Sequence, residues 1–236
     1  MPTKLIEYYD SDTLLEGFLA IPNNVTDKTP AVLVTHDWSG RNEFACKKAE
    51  QLAELGYIGF ALDMYGKGKF GQTKEEKIAL MSPLAENRQA LQQRMHAGLT
   101  ILKQQPHVDS KRIGAIGFCF GGLCVLDLAR SGADIAGIVS FHGLLNAPSN
   151  IHNSVIKAKI LVLHGHDDPM VPSEQVLAFQ QEMTQAKADW QMIIYGDTMH
   201  AFTNPIANDP GFGTVYNACA DKRSWLAMKN FFSEIF

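Results

Sequence analysis

The stretch Ile113-Gly114-Ala115-Ile116-Gly117-Phe118-Cys119-Phe120-Gly121-Gly122 decides the fold. An apolar run closes on Gly117 and Cys119 follows two positions later. Gly121 and Gly122 come next, and Leu123 to Ala129 reads as a helix. The pattern is strand, sharp turn and helix, with a thiol at the tip. Small residues two before and two after the tip let strand and helix approach closely. The tip residue is then forced into a strained backbone conformation that pushes its side chain outward. A Gly-x-nucleophile-x-Gly turn has this build, so Cys119 is the candidate nucleophile.

The rest of the chain has to supply what a thiol lacks. The 236 residues are 46% hydrophobic and 19% charged, a composition that fits one domain, 1–236, with one large core. A net charge of −4 leaves no basic footprint, so nucleic acid is not an expected partner. The apolar runs have strand length and fall short of a membrane span, and Met1 to Asp10 lacks the apolar core of a secretory signal. The four cysteines (Cys46, Cys119, Cys124 and Cys219) are scattered without a Cys-x-x-Cys pair. That argues against a disulfide framework or a zinc site and fits a cytoplasmic location. No cofactor and no metal are expected.

Leu5 to Tyr9 and Leu14 to Ile21 read as an antiparallel strand pair turning at Asp10-Ser11-Asp12. From Ala31 onward, apolar strands alternate with helices. Strands are read at Ala31 to Thr35, Tyr57 to Leu62, Ile135 to Phe141, Ile160 to His164 and Trp190 to Tyr195. A helix starts near Asn42 and suits a cap at Gly56. Asp63 to Thr73 reads as a loop, and the region to Met81 as a lid over the substrate entrance. Leu84, Leu91, Met95, Leu99 and Leu102 recur at helical spacing in one helix stopped by Pro106. Ser173 reads as an N-cap, and Ala218 to Phe236 as a closing helix burying Trp225, Met228, Phe232 and Ile235. Such alternation implies a mostly parallel sheet covered by helices on both faces.

In an open sheet of this kind, reactive groups collect at the carboxyl ends of strands. Two later strand ends carry His164-Gly165-His166-Asp167-Asp168-Pro169-Met170-Val171-Pro172 and Gly196-Asp197-Thr198-Met199-His200-Ala201-Phe202. A thiol needs a base to take its proton, and His200 is the candidate base. A carboxylate on the far ring nitrogen fixes the tautomer and stabilises the imidazolium. Asp168 is preferred for this over Asp167, which is expected to face solvent or cap the loop. Charge develops on the attacked carbonyl oxygen, so an oxyanion hole is also required. Its expected donors are the backbone N–H groups of Phe120 and Trp38. The order nucleophile, acid, histidine is that of the α/β-hydrolases.

With these residues the chain resembles the dienelactone hydrolase family over nearly its whole length. The resemblance implies an α/β-hydrolase fold with the antiparallel strand pair at the N-terminus. It also implies a cysteine nucleophile at Cys119, with Asp168 and His200 as acid and base. Where the family commonly has a Glu-x-x-Gly stretch orienting the thiol, this chain has Asp37-Trp38-Ser39-Gly40, one methylene shorter at the carboxylate. Four residues after the histidine, where the well-known enzymes hold the substrate carboxylate with an arginine, stands Asn204. The resemblance is therefore to the broad dienelactone hydrolase-like subgroup. It implies a small ester or lactone as substrate. Asn204 at that position, Tyr65 after a strand end and Phe202 are the candidate pocket residues. His36 and His142 read as packing or neighbouring residues, and the three other cysteines as packing residues. Two other readings stay open. One is a small-molecule-binding protein on the same fold, and the other a thioesterase or acyltransferase using the same triad. Both monomer and homodimer remain open as the assembly.

Overall fold

The computed structural model describes residues 1–148 and 155–236. The chain divides into two compact units, Met1–Ile116 and Gly117–Phe236.

The first unit opens with the expected antiparallel pair, β1 (Thr3–Asp10) and β2 (Thr13–Ala20), in register from Thr3 opposite Ala20 to Asp10 opposite Thr13. β3 (Thr29–Thr35) and β4 (Ile58–Ala61) run parallel, and β2 pairs antiparallel with β4. β5 (Val108–Phe118) follows β3 in the strand order β1-β2-β4-β3-β5 and runs on into the second unit. α1 (Glu43–Glu54) packs on β3 and β4 and starts where the Asn42 side chain accepts the Ala45 N–H.

The single helix read between Leu84 and Leu102 is two helices, α2 (Lys74–Glu86) and α3 (Arg88–Lys103). They part at Asn87, whose side chain accepts the Ala90 N–H and restarts the chain as an N-cap. α2 itself begins on a reciprocal capping box between Thr73 and Glu76.

The second unit carries the parallel strands β6 (Gly137–Phe141), β7 (Lys159–Gly165) and β8 (Trp190–Tyr195), paired in that order. α4 (Phe120–Arg130) springs from the end of β5, and every one of its residues is buried. The fully buried Arg130 anchors its C-terminus. Arg130 pairs with Asp127 and Glu182 and donates to the carbonyls of Leu145 and Asn146. Removing a partner from such a buried pair costs about 3–5 kcal/mol, so α4 is held firmly beneath the thiol.

α5 (Ser173–Gln185) buries Val176, Phe179 and Met183, as their spacing requires. Its cap is not Ser173. Pro172 occupies that position in an extended conformation, its carbonyl accepting the Gln175 and Val176 amides, and Ser173 is already the first helical residue. α6 (Ala218–Ile235) is capped by Asn217 and buries Met228, Phe231 and Phe232. Phe236 stacks on Phe232 with ring centroids 5.1 Å apart, so the apolar end of the chain packs on its own helix.

The sequence reading missed a small hairpin, β9 (Asn208–Asp209) with β10 (Thr214–Val215). Among the described residues no helix is long and apolar enough to cross a membrane.

Candidate active site

The turn after β5 is as tight as its glycines suggest. A Cβ on Gly117 would stand 1.9 Å from the Gly121 carbonyl oxygen, so only glycine lets β5 and α4 cross there. Cys119 then takes φ 55° and ψ −116°, a conformation that L-residues rarely adopt. Its amide is held by the Phe141 carbonyl at 3.1 Å and by Nδ1 of His142 at 3.2 Å. Its side chain is partly exposed, whereas Cys124, one turn on, is buried.

The two neighbouring aspartates divide by burial. Asp168 is 3% exposed and holds Nδ1 of His200 at 2.7 Å through Oδ2, while its Oδ1 accepts the Met170 N–H at 2.8 Å. Asp167 is exposed and accepts the Thr198 N–H at 3.1 Å. The first carboxylate is thus spent on a histidine ring and the second on loop backbone. His200 is 1% exposed. Burial works against a proton on its ring. The electrostatic and hydrogen-bond interaction with the Cys119 side chain, and the hydrogen bond and charge of Asp168, outweigh burial and raise its pKa to about 10.

The histidine loop is clamped from outside itself. The His200 N–H donates to the Gly213 carbonyl at 3.0 Å, and its carbonyl accepts the Val215 N–H at 3.1 Å, joining it to β10. Gly213 has φ 82°, and a Cβ there would meet Pro169 at 2.1 Å. The residue beside Asp168 therefore packs against the residue that fixes His200. Phe202 is fully buried against His142 and Tyr195. Asn204 accepts the Ile206 N–H at 3.2 Å through its side chain. A cleft of the second unit is lined by Asp167, Asp197, Met199, Pro210, Val215, Tyr216 and Asn217, and none of Cys119, Asp168, His200, Phe202 and Asn204 borders it.

The remaining candidates lie in the first unit. Asp37 accepts the Ser39 N–H at 2.8 Å, closing the turn after β3. The Trp38 carbonyl accepts the Tyr65 hydroxyl at 3.0 Å, and the Lys77 ammonium sits 5.4 Å from the Trp38 ring centroid. Tyr65 is buried edge-on against His36. The loop before α2 docks on this same turn, with Gly40 bridged to Phe70 and the Gly71 N–H on the Ser39 carbonyl. His142 carries more than the sequence suggested, and only its position after a strand pointed to it.

A mostly parallel sheet with a cysteine on a strained strand-to-helix turn, and an acid and histidine following in order, marks the class as α/β-hydrolase. A family model, the dienelactone hydrolase family, matches residues 15–236. The chain belongs to that family, and with it to the ester-bond hydrolases. It is 36% identical to a dienelactone hydrolase-like promiscuous phosphotriesterase, P91, from metagenomic libraries, with a TM-score of 0.93 over 100% of this chain and 98% of that one. It is 29% identical to a Bradyrhizobium sp protein named "Probable 2-oxo-3-(5-oxofuran-2-ylidene)propanoate lactonase", over 89% of this chain and 85% of that one. It is 26% identical to a carboxymethylenebutenolidase homolog of Xenopus tropicalis, over 80% and 76% of the two chains.

Proposed function

We propose that the chain hydrolyses small esters or lactones through Cys119, His200 and Asp168. The observation that carries this reading is the 2.7 Å contact between the buried His200 and Asp168, on a ring whose pKa is raised by its interactions with Cys119 and Asp168. Cys119 passes its thiol proton to His200, and Sγ attacks the carbonyl carbon, forming a C–S bond. The carbonyl electrons move to an oxyanion held by the Phe120 N–H. Collapse of the intermediate breaks the C–O bond, and His200 delivers its proton to the departing oxygen. In a lactone that oxygen stays tethered to the acyl group. Water then attacks the thioester, His200 takes its proton, and the acid and the thiol are released. Asp168 holds the ring tautomer throughout. Asn204 as a pocket residue rests on the family pattern.

The test is hydrolysis of a panel of chromogenic esters and lactones by wild type and Cys119→Ala. The expected outcome is turnover by the wild type and a loss of about 10⁴-fold or more in the variant. Full activity in the variant sinks the mechanism. An aryl phosphotriester belongs in the panel because of the likeness to the promiscuous phosphotriesterase. Tight ligand binding without turnover of any member would instead favour the binding-protein reading.

A further inference from the structure

The His142 ring links the nucleophile's backbone to the histidine loop. His142 follows the end of β6 at φ 38°, and its own N–H donates to the Leu163 carbonyl on β7 at 2.8 Å. The ring is 2% exposed. Its Nδ1 accepts the Cys119 amide at 3.2 Å, and its Nε2 lies 2.8 Å from the hydroxyl of Thr203, itself 1% exposed. The ring meets those of His200 and Phe202 edge to face, each at 5.1 Å between centroids.

These partners fix the ring's state. A backbone amide can only donate, so Nδ1 presents its lone pair to Cys119. The neutral ring then carries its proton on Nε2 and donates to Thr203. A proton on Nδ1 would break the bond to Cys119 and set a second cation beside the His200 imidazolium. The same ring therefore supports the strained residue at the tip of the turn and packs against the ring of the base.

We propose that His142 is a positioning residue: held neutral between Cys119 and Thr203, it keeps the nucleophile's turn and the His200 ring in reacting register. This rests on the reading of Cys119 and His200 as nucleophile and base. A strained backbone persists only where its surroundings over-determine it, and a misplacement of about 1 Å in a reacting pair costs about 10²-fold.

Three variants separate the roles. His142→Phe keeps the ring shape and removes both bonds. His142→Asn keeps an acceptor near Nδ1 and tolerates positive φ. Thr203→Val removes the Nε2 partner and leaves the backbone at 142 untouched. Two readouts are taken with melting temperatures in parallel. One is kcat and KM on the best panel substrate. The other is the pH profile of Cys119 alkylation by iodoacetamide, resolved from the other cysteines by peptide mass. We expect kcat to fall about 10²-fold in His142→Phe with KM nearly unchanged. Thr203→Val should lose about tenfold, the worth of one neutral hydrogen bond, and His142→Asn should recover much of the His142→Phe loss. The alkylation profile should shift in the same order. Wild-type kcat and alkylation in His142→Phe overturn the proposal, as do losses in all three variants that merely follow their melting temperatures. If the wild type turns over no substrate, the hydrolase reading fails, and the alkylation profile alone decides for or against His142.

Discussion

Each unit of the chain buries a histidine just beyond a strand, and the two are held in opposite states. In the first unit, His36 follows β3 and is fully buried. Its Nδ1 lies 2.6 Å from the Asp37 carbonyl and donates to it, while its Nε2 accepts the Met64 N–H at 3.2 Å. Both nitrogens are satisfied only in the neutral ring. Burial lowers the pKa of His36, and the Asp37 carbonyl and charge only partly offset this. In the second unit, His200 has the Asp168 carboxylate on Nδ1, and the Cys119 side chain acts on the ring as its second partner. Burial alone therefore does not decide a histidine's role. A backbone donor on the second nitrogen makes a fixed brace, whereas a carboxylate on the first and the nucleophile's side chain as second partner make a base.

The comparison breaks most visibly through its carboxylate. Asp168→Asn should lower kcat by about 10³–10⁴-fold, because an amide can hold His200 in the wrong tautomer. Asp167→Asn should stay close to wild type in the same assay. Equal losses in the two variants would erase the distinction drawn between them. A smaller effect tests the brace. His36→Phe leaves the Met64 N–H without its acceptor, so chemical denaturation should report a loss of about 1–3 kcal/mol. Unchanged stability would show that the Met64 amide finds another partner.

The smallest effect sharpens the comparison by its sign. His200 has a raised pKa, so the folded state keeps a proton that the unfolded chain loses near pH 6.5. Its contribution is complete below pH 6.5 and fades as pH rises toward about 10. His36 has a lowered pKa, so the unfolded chain takes up a proton that the folded state refuses. Its contribution is complete above pH 6.5 and fades as pH falls below it. Melting curves against pH should therefore flatten on the alkaline side in His200→Gln and on the acid side in His36→Phe. The reverse pattern would contradict the assignment.

What could be read in the sequence was what has a short-range signature. Gly117, Cys119 and Gly121 gave the turn, because close backbone approach leaves few residue choices. Strand and helix alternation gave the sheet, and β8 falls on the residues expected for it. The boundaries that failed were set by single side chains. Asn87 divides one apolar periodicity into two helices by capping the second. Thr73 and Glu76 start α2, and their capping-box spacing was the signal that would have found it. The β9–β10 hairpin is too short to show periodicity. His142 could be read as a packing or neighbouring residue, but its partners could not, because Cys119 and Thr203 stand 23 and 61 residues away along the chain.

Gly213 gives the site an unexpected point of control. It touches neither the thiol nor a ring nitrogen, yet its missing side chain makes room for Pro169 while its carbonyl holds the His200 amide. One added methyl there would press on the acid loop and tug on the histidine loop together. Anyone resizing residues 203–213 to admit a new substrate is also adjusting the spacing of the acid–base pair.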